Sequence, residues 1–169
     1  MKTYIFKHSL LGVILGLSIL GCTEGDKFDY NKNMAFITGT ETTPVTKFVV
    51  EDTPSSYAVT ASTTDKVDKD VNVKFAIDRS LVETYNNEHN TKYYAIPEGA
   101  VTLEDADAVI QTGKAFSTPA TVKVISTEDF AEGRVYVVPV TMVEVDGLEI
   151  LKPSKTIFCR YLVLFISPH

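Results

Sequence analysis

Short stretches in which apolar and polar residues alternate recur along most of the chain. The clearest covers residues 70–78, where Val71, Val73, Phe75 and Ile77 are separated by polar or small neighbours. Strict alternation with a period of two is typical of a strand that buries one face. We therefore predict a half-buried strand here.

Eight further segments have the same strand character, being short, rich in β-branched or aromatic residues and bounded by turn-forming residues. They are residues 34–38, 45–51, 56–63, 100–103, 108–111, 121–125, 134–145 and 156–166. Turn residues recur about every 8–12 residues, a spacing that favours a β-sandwich. A parallel α/β sheet is disfavoured because the sequence has no repeated helix long enough for a crossover.

Pro139 interrupts residues 134–145, the longest of these segments. Because proline has no backbone N–H, we expect this strand to lie at a sheet edge or to bulge at Pro139. The segment at residues 156–166 is also apolar, and we expect its strand to end near Val163.

Residues 79–90 differ from their surroundings because their pattern is helical. Ser80 and Glu83 have the spacing of a capping box. Apolar residues follow at helical spacing, namely Leu81, Val82 and Tyr85. Asparagines at positions 86, 87 and 90 then favour termination. We predict a helix of about two turns, which must pack Leu81 and Tyr85 onto the sheet because so short a helix is unstable alone.

The first 22 residues have the layout of a secretory signal. Lys2 and Lys7 precede the apolar residues 10–20, and Gly21 precedes Cys22. The apolar run is shorter than the ~20 residues that a spanning helix needs. The sequence ILGC at residues 19–22 resembles the bacterial lipobox, which implies that Cys22 is acylated and becomes the mature N-terminus. The alternative is a plain secretory signal with an incidental cysteine.

These patterns divide the chain into four parts. We predict a signal peptide at residues 1–21 and a lipidated N-terminus with a flexible polar tether at residues 22–33. A single β-sandwich domain follows at residues 34–163. Residues 164–169 form a C-terminal tail, which is either the end of the last strand or the end of a truncated reading frame.

The charge balance excludes one class of partner. The chain has 16 Lys and Arg residues against 22 Asp and Glu residues, a net charge of −6. An acidic chain of this kind has no electrostatic basis for binding nucleic acid. The acidity suits solubility at an anionic cell surface.

Several motifs together resemble those of a known family. They are DRSLVETYN at residues 78–86, NTKY at 90–93, IPEG at 96–99, VI at 109–110, GK at 113–114 and YVVPV at 136–140. The family is a domain of unknown function found near the N-terminus of Bacteroides-type surface lipoproteins, and the resemblance covers residues 33–161. His89, where small residues are usual, and the missing glycine between Asn90 and Thr91 depart from its pattern.

The resemblance implies an immunoglobulin-like β-sandwich in which the short helix is a standard excursion in a loop. Such domains are often fused to glycan-binding or glycoside-hydrolase modules and belong to polysaccharide-utilisation systems. The family has no recognised catalytic residue. The acidic stretch after Cys22 is similar to an export signal for the outer face of the outer membrane.

Candidate reactive groups are few. Carboxylates cluster at positions 65, 68 and 70 and at 104, 105 and 107, where they could chelate calcium but are more typical of solvated turns. The histidines stand at positions 8, 89 and 169, which leaves Cys159 without a sequence-level partner for a Cys–His site. We predict no catalytic residue, no metal site and no cofactor, and Cys159 is interpreted as a core residue.

Three tyrosines are candidates for contact with a ligand. Tyr57, Tyr93 and Tyr94 could stack on sugar rings, although the chain has no Trp. Adjacent Tyr93 and Tyr94 point in opposite directions if the backbone is extended, so we expect one of them in the core.

The sequence thus predicts a non-catalytic surface module, anchored to the bacterial outer membrane through lipid on Cys22 and facing the exterior. It would act as a scaffold, spacer or interaction domain in glycan capture, with glycan or other surface proteins as partners. The alternative is a domain that binds carbohydrate directly, and a glycoside hydrolase is a remote third.

Overall fold

The computed structural model describes residues 32–50 and 54–163. The predicted signal peptide, Cys22, almost all of the tether and the tail at residues 164–169 lie outside these residues. The proposed division of the chain therefore stays a prediction.

The described residues form an all-β sandwich with one short α-helix, as the sequence predicts. The strands are β1 (Met34–Ile37), β2 (Val45–Val50), β3 (Ser55–Val59), β4 (Ala61–Thr63), β5 (Val71–Ile77), β6 (Tyr93–Ala95), β7 (Val101–Glu104), β8 (Asp107–Ile110), β9 (Ala120–Val124), β10 (Val135–Val145), β11 (Glu149–Ile150) and β12 (Thr156–Val163). The helix is α1 (Leu81–His89), and a 3-10 turn, Lys152–Ser154, precedes β12.

Three sheets make up the sandwich. The largest has the order β2-β12-β10-β5-β8, with β6 also paired to β10. The two smaller sheets have the orders β11-β1-β4 and β3-β9-β7. Most neighbours are antiparallel, whereas β1 with β11, β2 with β12 and β6 with β10 are parallel pairs.

The main core contains apolar side chains from all three sheets. On β5, Val71, Val73 and Phe75 are buried while their neighbours Asn72 and Lys74 are exposed, so the alternating pattern is confirmed. Strands of the other sheets and the inner face of β10 and β12 complete this cluster. Full burial of a side chain as large as Phe75 contributes about 1.5–3 kcal/mol.

A second, smaller apolar cluster lies on the opposite face of the large sheet, under α1. Val82 of the helix is buried against Val137 and Phe158 of β10 and β12, and Leu81 and Tyr85 pack beside it. This packing explains why a helix of nine residues is stable. The predicted docking of Leu81 and Tyr85 on the sheet is confirmed.

Asn90 ends α1, as its sequence position suggests. It adopts a left-handed conformation with φ 51°, and its backbone N–H bonds to the carbonyl of Asn86. Asparagine tolerates this conformation better than most residues because its short polar side chain can bond locally.

The predicted capping box is wrong. Ser80 already has helical angles, φ −64° and ψ −25°, and its side chain makes no cap hydrogen bond. Asp78 takes that role, because its Oδ1 accepts from the backbone N–H of Ser80 at 3.1 Å and from the Ser80 hydroxyl at 2.5 Å. A side-chain acceptor that precedes the helix in this way is typical of an N-cap aspartate.

The expectation for Pro139 is also wrong, because β10 is a central strand and its register shift lies between Met142 and Glu144. The carbonyls of Val137 and Pro139 accept from the backbone N–H groups of Ile96 and Asp78. The Pro139 nitrogen, which carries no hydrogen, therefore points to the side of β10 that borders β6 and β5. β6 pairs with β10 up to Val137 and β5 pairs with it from Val140, so no strand residue needs a hydrogen bond from Pro139. A central strand tolerates proline at such a position.

Residues 56–63 form two strands instead of one. Tyr57 and Val59 belong to β3, which pairs with β9, whereas Ala61 belongs to β4, which pairs with β1. All three pack in the main core, as their alternation predicts. The chain changes sheets at Thr60, which interrupts the backbone pairing without changing the face that is buried.

Candidate functional site

Tyr57 is part of the packing of the sandwich. Its ring is half-buried against the main core. Its hydroxyl donates to Oγ1 of Thr46 on β2 at 3.3 Å. The side chain therefore links two strands of different sheets.

Tyr93 and Tyr94 lie on opposite faces of β6, as predicted for an extended segment. Tyr93 is half-buried in the second cluster, with its ring centroid 6.0 Å from that of Tyr85. Tyr94 is 44% exposed. The three candidate tyrosines do not share one surface, and their role in ligand contact stays a prediction.

The exposed ring of Tyr94 is covered in part by a cation. The guanidinium carbon of Arg134 lies 4.6 Å from the ring centroid, a geometry that is typical of a cation–π contact. Tyr136 lies 6.1 Å away and in turn stacks on Phe130 at 4.5 Å. The 44% exposure of Tyr94 is what remains with Arg134 over its ring.

Two of the carboxylates that cluster in sequence make local structural contacts, Asp70 in a turn and Glu104 between strands β7 and β9. Oδ1 of Asp70 accepts from the backbone N–H and the hydroxyl of Thr112 at 2.7 and 2.8 Å, which lowers the pKa of Asp70. Glu104 pairs with Lys123 at 3.2 Å. Within residues 32–50 and 54–163, no three metal-ligating side chains come together.

Cys159 is fully buried in the main core. Burial raises the pKa of its thiol to about 12. A neutral thiol is a poor nucleophile at physiological pH, so this residue behaves as the packing residue that the sequence predicts.

A shallow groove of about 200 Å³ lies between α1 and the 3-10 turn before β12. We call it the α1 groove. Its apolar lining consists of Pro44, Leu81, Tyr85, Pro153 and Phe158. Its polar lining consists of Thr84, Glu88, His89, Lys152, Lys155 and Thr156.

Aromatic contacts fix one wall of the α1 groove. The rings of Tyr85 and His89 are stacked with centroids 4.2 Å apart, and Tyr85 also contacts Phe158 at 4.3 Å. Burial and the neighbouring Tyr93 raise the pKa of Tyr85. Sequence reasoning identified this helix but missed the groove, because Lys152 and Lys155 reach it from a distant segment.

Two larger depressions have different linings. One, of about 350 Å³, lies over β5 and β8. Two pairs of its polar groups interact, since Asn72 donates to Asp146 at 2.7 Å and Lys74 lies 4.0 Å from Asp107. The other, of about 460 Å³, lies beside Val67 and Leu148.

The fold and its surfaces thus define a β-sandwich domain with a helix-bearing loop and shallow surface grooves. Among the residues described, no helix has the length and apolarity required to cross a bilayer.

A family model described as a "-like, N-terminal domain" matches residues 30–149. The match covers well over half of the chain, and the chain belongs to that family. No functionally curated protein matches the chain.

Solved structures from Bacteroides share the fold. A proposed carbohydrate-binding protein from Bacteroides ovatus ATCC 8483 is 18% identical with a TM-score of 0.67, over 76% of this chain and 36% of that one. Bacteroides thetaiotaomicron EndoBT-3987 with Man5GlcNAc product is 21% identical with a TM-score of 0.55, over 78% of this chain and 30% of that one.

An auxiliary nutrient binding protein from Bacteroides thetaiotaomicron VPI-5482 is 13% identical with a TM-score of 0.55, over 77% of this chain and 47% of that one. The chain therefore spans about a third to a half of the length of these structures. At these identities the similarity shows the fold alone.

Proposed function

We propose that this chain is a non-catalytic, lipid-anchored module on the outer face of the bacterial outer membrane, where it acts as a scaffold, spacer or interaction domain in glycan capture. The observation that carries this proposal is the family match over residues 30–149. The same sandwich occurs as a part of longer Bacteroides proteins, among them a proposed carbohydrate-binding protein and a nutrient binding protein.

The chemistry of the described residues supports a module without catalysis. His89, the one histidine among them, is stacked on Tyr85. Asp70 and Glu104 are engaged in turn and strand contacts, and the thiol of Cys159 is buried. The structure of EndoBT-3987 with Man5GlcNAc product extends well beyond this domain, since the chain covers 30% of it.

The anchor is tested by Cys22→Ala in the intact precursor. We expect the wild-type protein to enter the detergent phase of a Triton X-114 extraction and the variant to leave it, because acyl chains that partition into membrane are lost. Cys159→Ala is the matched control and should stay in the detergent phase. Unchanged partitioning of a Cys22→Ala protein from which residues 1–21 have been removed would contradict the lipid anchor.

The surface role is tested by cross-linking on intact cells. We expect protease-accessible protein and cross-links to other glycan-capture proteins of the outer membrane. A protein that is at the surface but cross-links to none of them would contradict the role in glycan capture. Release of reducing sugar from polysaccharides by the purified mature chain would contradict the absence of catalysis.

Direct carbohydrate binding is the second candidate function. The α1 groove favours it, because an apolar floor with hydroxyl and charged groups at its rim is typical of sites for small polar ligands. Affinity gel electrophoresis of the mature chain tests this candidate. Retardation by a polysaccharide would support direct binding. Unaltered mobility in every polysaccharide gel would contradict it, and the scaffold role would be the remaining candidate.

A further inference from the structure

We propose that the α1 groove binds a carboxylate-bearing sugar, a hexuronate residue of an acidic polysaccharide. The inference rests on the proposed function, since it names the glycan class that the module would contact. Three features of the groove carry it: its apolar floor, its cationic rim and its hydroxyl groups.

The floor is rigid and apolar. Phe158 is buried in the second cluster, and Tyr85 is held between Phe158 and His89. Leu81 packs against the same cluster. Because Phe158 is buried and Tyr85 is covered by two rings, the apolar surface open to the C–H face of a pyranose ring comes mainly from Leu81, Pro44 and Pro153.

The rim concentrates positive charge on an otherwise acidic chain. Lys152 and Lys155 are three residues apart across the 3-10 turn, and in that geometry residues i and i+3 project to the same side. Both line the α1 groove. The net charge of the chain is −6, so this clustering opposes the overall composition and favours an anionic ligand.

The remaining polar groups favour a sugar over a simple polyanion. Thr84 supplies a hydroxyl that can donate to and accept from sugar hydroxyls, and the hydroxyl of Thr156, which already bonds to that of Thr141 at 2.9 Å, keeps capacity to accept. Glu88 is the one carboxylate among the described lining residues. It can accept from a sugar hydroxyl, and it repels a ligand with a high density of negative charge. The set therefore matches one carboxylate on a hydroxyl-rich ring.

The test is affinity gel electrophoresis of the full mature chain with polygalacturonate and with the same polymer after complete methyl esterification. The two polymers share their sugar backbone and differ in the carboxylate charge. We expect retardation by polygalacturonate and at least tenfold weaker retardation by the ester. Dextran sulfate is the third gel, and equal or stronger retardation there would overturn the proposal in favour of unspecific charge attraction.

Lys155→Glu is the diagnostic variant, with Lys114→Glu, outside the groove, as the matched control. The backbone carbonyl of Lys155 accepts from the N–H of Met142, and this contact survives the substitution, so the variant should fold. We expect Lys155→Glu to weaken retardation by polygalacturonate at least tenfold and Lys114→Glu to change it less than twofold. Near-identical melting temperatures of both variants would show that the loss is local.

The outcomes separate this inference from the proposed function. Retardation that is equal in both esterified and free polymers, or unchanged in Lys155→Glu, would overturn the groove assignment while direct carbohydrate binding stands. Unaltered mobility in all gels would overturn the inference but leave the scaffold role intact if surface cross-links are found. Loss of those cross-links and of detergent partitioning would overturn the proposed function itself.

Discussion

The side-chain amide of Asn86 bonds to both backbone polar groups of Tyr93. Its Oδ1 accepts from the N–H of Tyr93 at 2.9 Å, and its Nδ2 donates to the Tyr93 carbonyl at 2.8 Å. The same Oδ1 accepts from the hydroxyl of Thr91 at 2.8 Å. The Asn86 amide therefore satisfies the backbone donor and acceptor of Tyr93 on the edge of β6 that does not pair with β10. It also fixes the path of the chain from α1 to β6.

Asn86→Ala should destabilise the domain markedly. The substitution removes two hydrogen bonds to partly buried backbone groups, each worth about 0.5–1.5 kcal/mol, and leaves those groups unsatisfied. We expect the free energy of unfolding to fall by about 2–3 kcal/mol, measured by urea denaturation. Asn87→Ala is the matched control, since the adjacent side chain is exposed and the change in helix propensity is the same. Equal losses in both variants would contradict the bridging role of Asn86.

The position of the helix cap gives a second prediction. Asp78→Ala removes the acceptor of the Ser80 N–H and hydroxyl, and we expect a loss of about 1 kcal/mol in the free energy of unfolding. Ser80→Ala and Glu83→Ala should each cost about 0.5 kcal/mol or less, because neither side chain caps the helix and Glu83 contributes only through the helix dipole. The denaturant midpoints of the three variants show which substitution lowers the stability most. The opposite ranking would restore a capping box at Ser80 and Glu83.

Local patterns in the sequence were enough to predict much of this fold. The alternation of Val71, Val73 and Phe75 identified a strand and its buried face because period two follows from backbone geometry alone. The apolar spacing of Leu81 and Tyr85 identified the helix for the same reason. These signals need no knowledge of which segments become neighbours.

Other features depend on neighbours and could not be predicted. Pro139 is tolerated in a central strand because it lies at the position on β10 where pairing with β6 has ended and pairing with β5 has not begun. At the start of α1 the sequence offered two residues that both favour capping, Asp78 and Ser80, and the structure uses the carboxylate of Asp78. His89 and Lys155 both line the α1 groove although they are far apart in the chain, and no local pattern predicts that they lie on the same groove.

Buried ionisable groups on β12 predict a decline of stability in alkali. Burial raises the pKa of Cys159 from 9.0 to about 12, and it also raises the pKa of Tyr161. Both groups are neutral when protonated, so the unfolded chain loses these protons at lower pH than the folded chain does. Their stabilisation is therefore fully present below about pH 9 and is lost as the pH rises towards the folded-state values.

The free energy of unfolding, measured from pH 8 to pH 10.5, tests this decline. We expect a steady fall above pH 9 that is shallower in Cys159→Ala, because that variant lacks one of the two buried acids. In parallel, the thiol of the native protein should not react with Ellman's reagent at pH 8 and should react fully in denaturant. A native thiol that reacts at once, or identical slopes in variant and wild type, would contradict the burial of this group.

Asp70 predicts a dependence on pH at the acidic end. Hydrogen bonds from the backbone and side chain of Thr112 hold its pKa below the ordinary value of 3.8. The ionised form therefore stabilises the fold above the unfolded-state pKa, and this contribution is lost as the pH falls through the lower folded-state value. Asp70→Asn keeps an acceptor for Thr112 but carries no charge, so its stability should fall less steeply than that of the wild type between pH 5 and pH 2. Thermal unfolding followed across this pH range makes the comparison, and a wild-type slope in Asp70→Asn would show that the bonds from Thr112 do not favour the charged carboxylate.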